Sequence, residues 1–133
     1  MEFIIGGMCQ GKLAYAKEHY NLAGKKIVDG ETCTLEELEE ADVVYRFHLF
    51  LARELSDPSK AGNQTYFEAL INRMEEGKPE KIIISDEIGY GIVPVDKTDR
   101  MVREQTGRIC CYLAKRAKRV IRVVCGIGTV IKG

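Results

Sequence analysis

Gly6-Gly7-Met8-Cys9-Gln10-Gly11-Lys12-Leu13 is the stretch that decides the fold of this chain. Its spacing is G-x-x-x-x-G-K, with leucine where serine or threonine usually follows. Glu2 to Ile5, just before it, is a short apolar run that predicts a buried strand. After it, Leu13, Tyr15, Ala16, His19 and Tyr20 recur at helical spacing from Lys12 to Leu22, and Gly24 stops the helix. Strand, glycine loop and helix together suit a phosphate cradle. Glycines let backbone N–H groups turn inward around phosphate oxygens, and the helix N-terminus adds partial positive charge. Lys12 would reach the terminal phosphates. Gly6, Gly7, Met8, Cys9, Gln10, Gly11, Lys12 and Leu13 are therefore the expected nucleotide contacts. Leu13 offers no lone pair to a hard cation, so Mg²⁺ binding is expected to be weakened.

Outward from the loop, strands and helices alternate. Lys26 to Asp29 is a second strand. Thr34 to Glu40 is an acidic helical turn, with Thr34 and Glu37 as a capping box. Val43 to Tyr45 is a third strand candidate, and Phe47, Phe50, Leu51 and Leu55 then follow a helical face; the alternative is one or two helices over Leu35 to Leu55. A helix is predicted over Gln64 to Glu76, ended by Gly77 and Pro79. Lys81 to Ser85, with three consecutive isoleucines, has the pattern of a strand buried on both faces of a parallel sheet. A Gly- and Pro-rich loop from Gly89 to Asp96 leads into a long helix, Lys97 to Lys118. Val120 to Cys125 is the last predicted strand, closed by Gly126-Ile127-Gly128. This alternation predicts an α/β fold with a mostly parallel sheet flanked by helices.

The 133 residues make one domain, a single nucleotide-binding unit over residues 1–133. Twenty basic residues balance twenty acidic ones, and 45% of the chain is apolar. That apolar share excludes global disorder. Zero net charge argues against the basic surface that sequence-independent nucleic-acid binding needs to release phosphate counterions, leaving only a local basic face open, so nucleic acid is not an expected partner. No apolar run approaches the roughly 20 residues of a membrane-spanning helix. The opening Met1-Glu2-Phe3-Ile4-Ile5-Gly6 lacks a signal peptide's basic and apolar regions, so a cytoplasmic location without membrane partners is expected. Cys9, Cys33, Cys110, Cys111 and Cys125 are odd in number and form no CxxC pair, which argues against a disulfide framework or a zinc site.

Asp86 and Glu87 follow the isoleucine strand and fall at its C-terminal end, where ligands sit in open α/β sheets. They are the candidate catalytic acids beside Lys12, and the candidate Mg²⁺ ligands. Arg100 and Arg108 share one side of the long helix to within about 80°. Their bidentate guanidinium groups suit phosphate oxygens, so both are candidate nucleotide contacts. His48 is either a site residue near the phosphates or a hydrogen-bonded core histidine.

The stretch Ser85-Asp86-Glu87-Ile88-Gly89-Tyr90-Gly91-Ile92-Val93-Pro94 adds a further signal, together with Arg100, Arg103, Gly107-Arg108, Leu113-Ala114 and Val123-Val124-Cys125-Gly126-Ile127-Gly128. It resembles the adenosylcobinamide kinase / adenosylcobinamide-phosphate guanylyltransferase family, and Gly6-Gly7 with Gly11-Lys12 fits the same family. The resemblance implies a RecA-like P-loop NTPase fold, ATP or GTP as cosubstrate, a corrinoid acceptor of cobalamin biosynthesis, and a homo-oligomer. In that family a corrinoid hydroxyl is phosphorylated and GMP is then transferred through a GMP-histidine. This chain departs from the family pattern at four places. Leu13 replaces the loop hydroxyl, and Arg46 stands where an acid ends the third strand. No histidine lies between Gly30 and Asp42, and Cys110-Cys111 replaces an Asn-Gln pair. Phosphate transfer to a corrinoid hydroxyl is the activity the resemblance implies; guanylyl transfer is not expected. The alternative is a catalytically degenerate P-loop protein that binds nucleotide or corrinoid as a sensor or partner subunit.

Overall fold

A computed structural model describes residues 1–87 and 96–133. The loop expected over Gly89 to Asp96 lies, apart from Asp96, outside the described residues. In chain order the elements are β1 (Glu2–Gly6), α1 (Lys12–His19), β2 (Ile27–Asp29), α2 (Leu35–Glu40), β3 (Val43–Tyr45) and α3 (Phe47–Leu55). They continue with α4 (Gln64–Gly77), β4 (Ile82–Asp86), α5 (Lys97–Arg116), β5 (Arg119–Val124) and β6 (Ile127–Lys132).

The strands form one sheet in the order β2-β3-β4-β1-β5-β6. All neighbours are parallel except β5 and β6. This is the expected α/β P-loop NTPase fold. The chain runs from β1 to one flank, returns through β3 and β4, and crosses to β5 on the other side of β1. That reversal of strand order at β1 opens a crevice at the C-terminal edge of the sheet. Register places Gly6 beside Asp86 on one side and beside Val123 on the other. The glycine loop and the acid thus meet because their strands are paired in step.

The apolar residues alternate across the sheet with a period of two. Phe3, Val44, Ile83 and Val120 face a core shared with α2, α3, α4 and α5. Ile4, Val43, Ile82, Ile84, Ile121 and Val123 face the opposite side, where Ala16, Leu13 and Tyr15 of α1 cover them. Ile82, Ile83 and Ile84 are all buried, as a central strand requires. Thr34 and Glu37 form the expected capping box at the start of α2.

Four expectations need correction. Gly126-Ile127-Gly128 does not simply close the last strand. Cys125 and Gly126, at φ 50° and 78°, make a two-residue turn, and β6 then pairs antiparallel with β5. Two consecutive positive φ values match the twist of a tight hairpin, and glycine takes the second without strain. The first helix ends at His19, three residues before Leu22. Tyr20 turns to extended backbone there, and its hydroxyl donates a hydrogen bond to Glu2. Lys81 is not in β4; it is almost fully buried, and its ammonium donates to the carbonyls of Leu38, Glu39 and Ala41 at the end of α2. Burial pushes its pKa down to about 8. The long helix ends at Arg116, where Ala117 takes extended backbone and its N–H still reaches the Leu113 carbonyl.

Candidate phosphate site

The loop is held from three sides. Gly6 runs so close to β5 that a Cβ would lie 2.4 Å from the Val123 carbonyl oxygen, so only glycine permits this pairing. Cys9 and Gly11 both have positive φ, and Gly11 is the N-cap of α1. Gln10 ties the loop to the hairpin turn: its side-chain oxygen accepts from the Cys125 N–H at 2.7 Å, and its carbonyl accepts from the Gly126 N–H at 2.8 Å. The β5–β6 turn therefore buttresses the glycine loop, a role the sequence reading missed. The signal was available: a residue pair ending in glycine between two apolar runs is a hairpin pattern.

Lys12 is 6% exposed. Its Nζ donates to the Gly7 carbonyl at 2.6 Å and lies 2.7 Å from Asp86 Oδ1. A buried lysine needs such partners, because an isolated ammonium is costly to remove from water. Asp86 also engages His48. The Asp86 backbone N–H donates to His48 Nδ1 at 3.1 Å, and His48 Nε2 lies 3.3 Å from Asp86 Oδ2. Since Nδ1 accepts, the neutral ring carries its proton on Nε2, facing the carboxylate. Burial lowers the pKa of His48; Asp86 opposes that shift, while Lys12 and Arg46 add to it. His48 thus lines the candidate cleft while hydrogen-bonded to Asp86.

These groups line a cleft of about 470 Å³. Met8 to Leu13 form one wall, and Tyr45, Arg46, His48 and Leu49 form another. Arg46, in left-handed backbone at the start of α3, is turned toward β2. It donates to both carboxylate oxygens of Asp29 and, at 2.6 Å, to Glu31. That pairing holds the Asp29 carboxyl below its usual range and raises the pKa of Arg46. The acid absent from the end of β3 is balanced by one at the end of the neighbouring strand.

The other expected residues are placed differently. Glu87 does not line this cleft; its carboxylate accepts two hydrogen bonds from Arg122, at 2.7 and 3.2 Å. Arg100 is exposed in the first turns of α5. Arg108 is exposed and pairs with Glu104 one turn back at 2.6 Å. Neither arginine lines the cleft among the described residues. Leu13 is partly buried and packs against the α1 face of the sheet, which uses up the position of the usual hydroxyl.

Among the described residues no cluster of three or more His, Cys, Asp or Glu side chains could cage a metal. Among the described residues Asp86 is the one carboxylate on the cleft wall. One carboxylate with phosphate oxygens and water satisfies Mg²⁺, which keeps much of its hydration. The residues therefore fit a nucleotide-bound Mg²⁺ held through Asp86, without Leu13 or Glu87. No helix among the described residues is long and apolar enough to cross a membrane.

The family model for cobinamide kinase / cobinamide phosphate guanyltransferase matches residues 32–131. The glycine loop precedes the matched segment, so its assignment stands on its own geometry. A 65-residue stretch is 35% identical to the bifunctional adenosylcobalamin biosynthesis protein CobU of Escherichia coli (strain K12). That stretch covers 49% of this chain and 36% of the relative, so the match spans little more than a third of that protein's length. With its strand order, its loop and a match over most of its length, the chain belongs to the cobinamide kinase / cobinamide phosphate guanyltransferase family.

Proposed function

We propose that this protein is a nucleotide-dependent kinase of cobalamin biosynthesis that phosphorylates a corrinoid alcohol. The observation that carries the proposal is the position of Lys12, its ammonium 2.7 Å from Asp86 at the sheet's C-terminal edge. ATP or GTP would lie along Met8 to Leu13, with loop N–H groups and the α1 N-terminus around its phosphates. Lys12 would leave the Gly7 carbonyl for the terminal phosphates. Asp86 would hold a nucleotide-bound Mg²⁺, which would supply neutralisation of phosphate charge. The acceptor oxygen forms a bond to the γ-phosphorus. The bond from that phosphorus to the β,γ-bridging oxygen breaks, and its electrons leave with the nucleoside diphosphate. The alcohol proton passes to the Asp86 carboxylate. Positioning and charge stabilisation do most of the work in such a step. We also propose self-association, supported by the exposed apolar residues Ile127, Val130 and Ile131 on edge strand β6.

A second reading, a catalytically degenerate nucleotide- or corrinoid-binding sensor or partner subunit, is favoured by the packed Leu13 and by Arg46, which is committed to Asp29 and Glu31. Turnover separates the two: a sensor binds nucleotide but forms no phosphorylated cobinamide.

Lys12→Met tests the loop assignment. Losing a charged hydrogen bond should weaken nucleotide binding by about 1.5–3 kcal/mol, measured by calorimetry on protein shown to be folded by denaturant melt. Unchanged affinity in the folded variant sinks the assignment.

A further inference from the structure

Asp86 stands between two cavities. One is the phosphate cleft. The other, also about 470 Å³, has Asp86 in its lining as well and lies between the ends of β1 and β5 and the middle of α5. Ile5 and Ile131 give it apolar walls. Its charged groups are already matched, because Glu87 and Arg122 bind each other through two hydrogen bonds. Cys110 on α5 adds an uncharged wall, since burial pushes its thiol up to about 12. Thr106, 1% exposed, lines the same cavity, and its hydroxyl has no hydrogen-bond partner among the described residues. A buried hydroxyl without a partner is costly and uncommon, and so points to a ligand. Next to it, Gly107 leaves open space: a Cβ there would meet nothing within 4 Å.

We infer that this second cavity is the acceptor pocket, which takes an uncharged aliphatic chain ending in a hydroxyl and presents that hydroxyl to Asp86. The inference rests on the kinase activity proposed above and adds the location of the second substrate. A phosphate-bearing chain is disfavoured there, because Glu87 already occupies the Arg122 guanidinium. The cavity is too small for a macrocycle, so the ring of a corrinoid would stay outside and only its arm would enter. Thr106 would orient the chain by accepting or donating one hydrogen bond. The two substrates would then meet at Asp86, the residue that lines both cavities.

Gly107→Leu fills the cavity from a helix position that favours leucine over glycine, so the fold should be retained. Thr106→Val removes the hydroxyl at constant volume. Two readouts are needed: binding of cobinamide by calorimetry, and steady-state phosphorylation of cobinamide with ATP and magnesium. Gly107→Leu should weaken cobinamide binding and raise its KM at least tenfold, with nucleotide affinity within about twofold of the parent. Thr106→Val should raise the cobinamide KM several-fold and leave the nucleotide KM alone; a hydroxyl of merely structural role would move neither. If the parent binds cobinamide in a Gly107-sensitive way without turnover, the pocket stands and the kinase reading falls. If both folded variants bind and phosphorylate cobinamide like the parent, the pocket assignment is wrong and the kinase reading survives. A parent that does not bind cobinamide at all overturns the pocket too.

Discussion

At the scale of single residues, Lys12, Asp86 and His48 form one connected unit. His48 is held neutral by burial, with its pKa below the ordinary 6.5. Between that lowered value and 6.5 the unfolded chain binds more protons than the folded one. Stability therefore falls as pH drops through this window, and the contribution is fully present above 6.5. An NMR titration of the His48 ring should show a midpoint below 6.5, and His48→Gln should flatten the acid-side decline of the denaturant midpoint. A His48 midpoint at or above 6.5 contradicts this. Leu13 is the other informative residue. Leu13→Thr supplies an oxygen to the loop without removing any phosphate donor, so the magnesium dependence of ATP binding should increase. The hydroxyl replaces apolar packing and should cost about 1–3 kcal/mol of stability. Folded Leu13→Thr protein with unchanged ATP affinity and unchanged magnesium dependence would show that position 13 does not face the metal.

At the scale of elements, the β5–β6 hairpin links the loop to the edge of the sheet. Its turn anchors Gln10, while β6 exposes Ile127 and Ile131 at 70% and 59%. An edge strand that is long and apolar invites another chain. Sedimentation equilibrium on the parent should therefore show a self-associated species. Ile127→Lys should shift it toward monomer without lowering the thermal midpoint. A monomeric parent would rule out self-association through this strand. The hairpin also shows how far pattern reading reaches. Ile82-Ile83-Ile84 was legible as a central strand because three buried residues in a row fit only two covered faces. Residues 127–132 were not, because a strand with few buried side chains leaves little hydrophobic periodicity to read.

At the scale of the whole molecule, two histidines serve the entire chain. His19 is exposed, stacks on Tyr15 with ring centroids 3.9 Å apart, and is not among the residues that line the phosphate cleft. His48 has its one free lone pair, on Nδ1, directed at the Asp86 N–H. A histidine must offer a lone pair to phosphorus to carry a guanylyl group. Incubation with GTP and magnesium should therefore leave the intact mass unchanged. A gain equal to one GMP, mapped to His48 or His19, would restore guanylyl transfer as an activity of this chain.

Local chemistry was enough to place the strand, glycine loop and helix around Gly6 to Lys12, the buried isoleucine strand and the acids at its end. Each depends on residues close in sequence: glycine conformations, a helix start, a run of apolar side chains. Sequence likewise identified Asp86 as an acid at the ligand edge. The partners of that acid were decided only by the folded sheet. Register sets Gly6 beside Asp86, and the return of α3 over β4 brings His48 to the same carboxylate. Glu87, adjacent in sequence and chemically alike, points instead to Arg122 on β5. Successive residues of a strand face opposite ways, and residues 35 or more positions away determine which of them meets a charge. No local pattern contains that information, because it depends on which strands lie side by side.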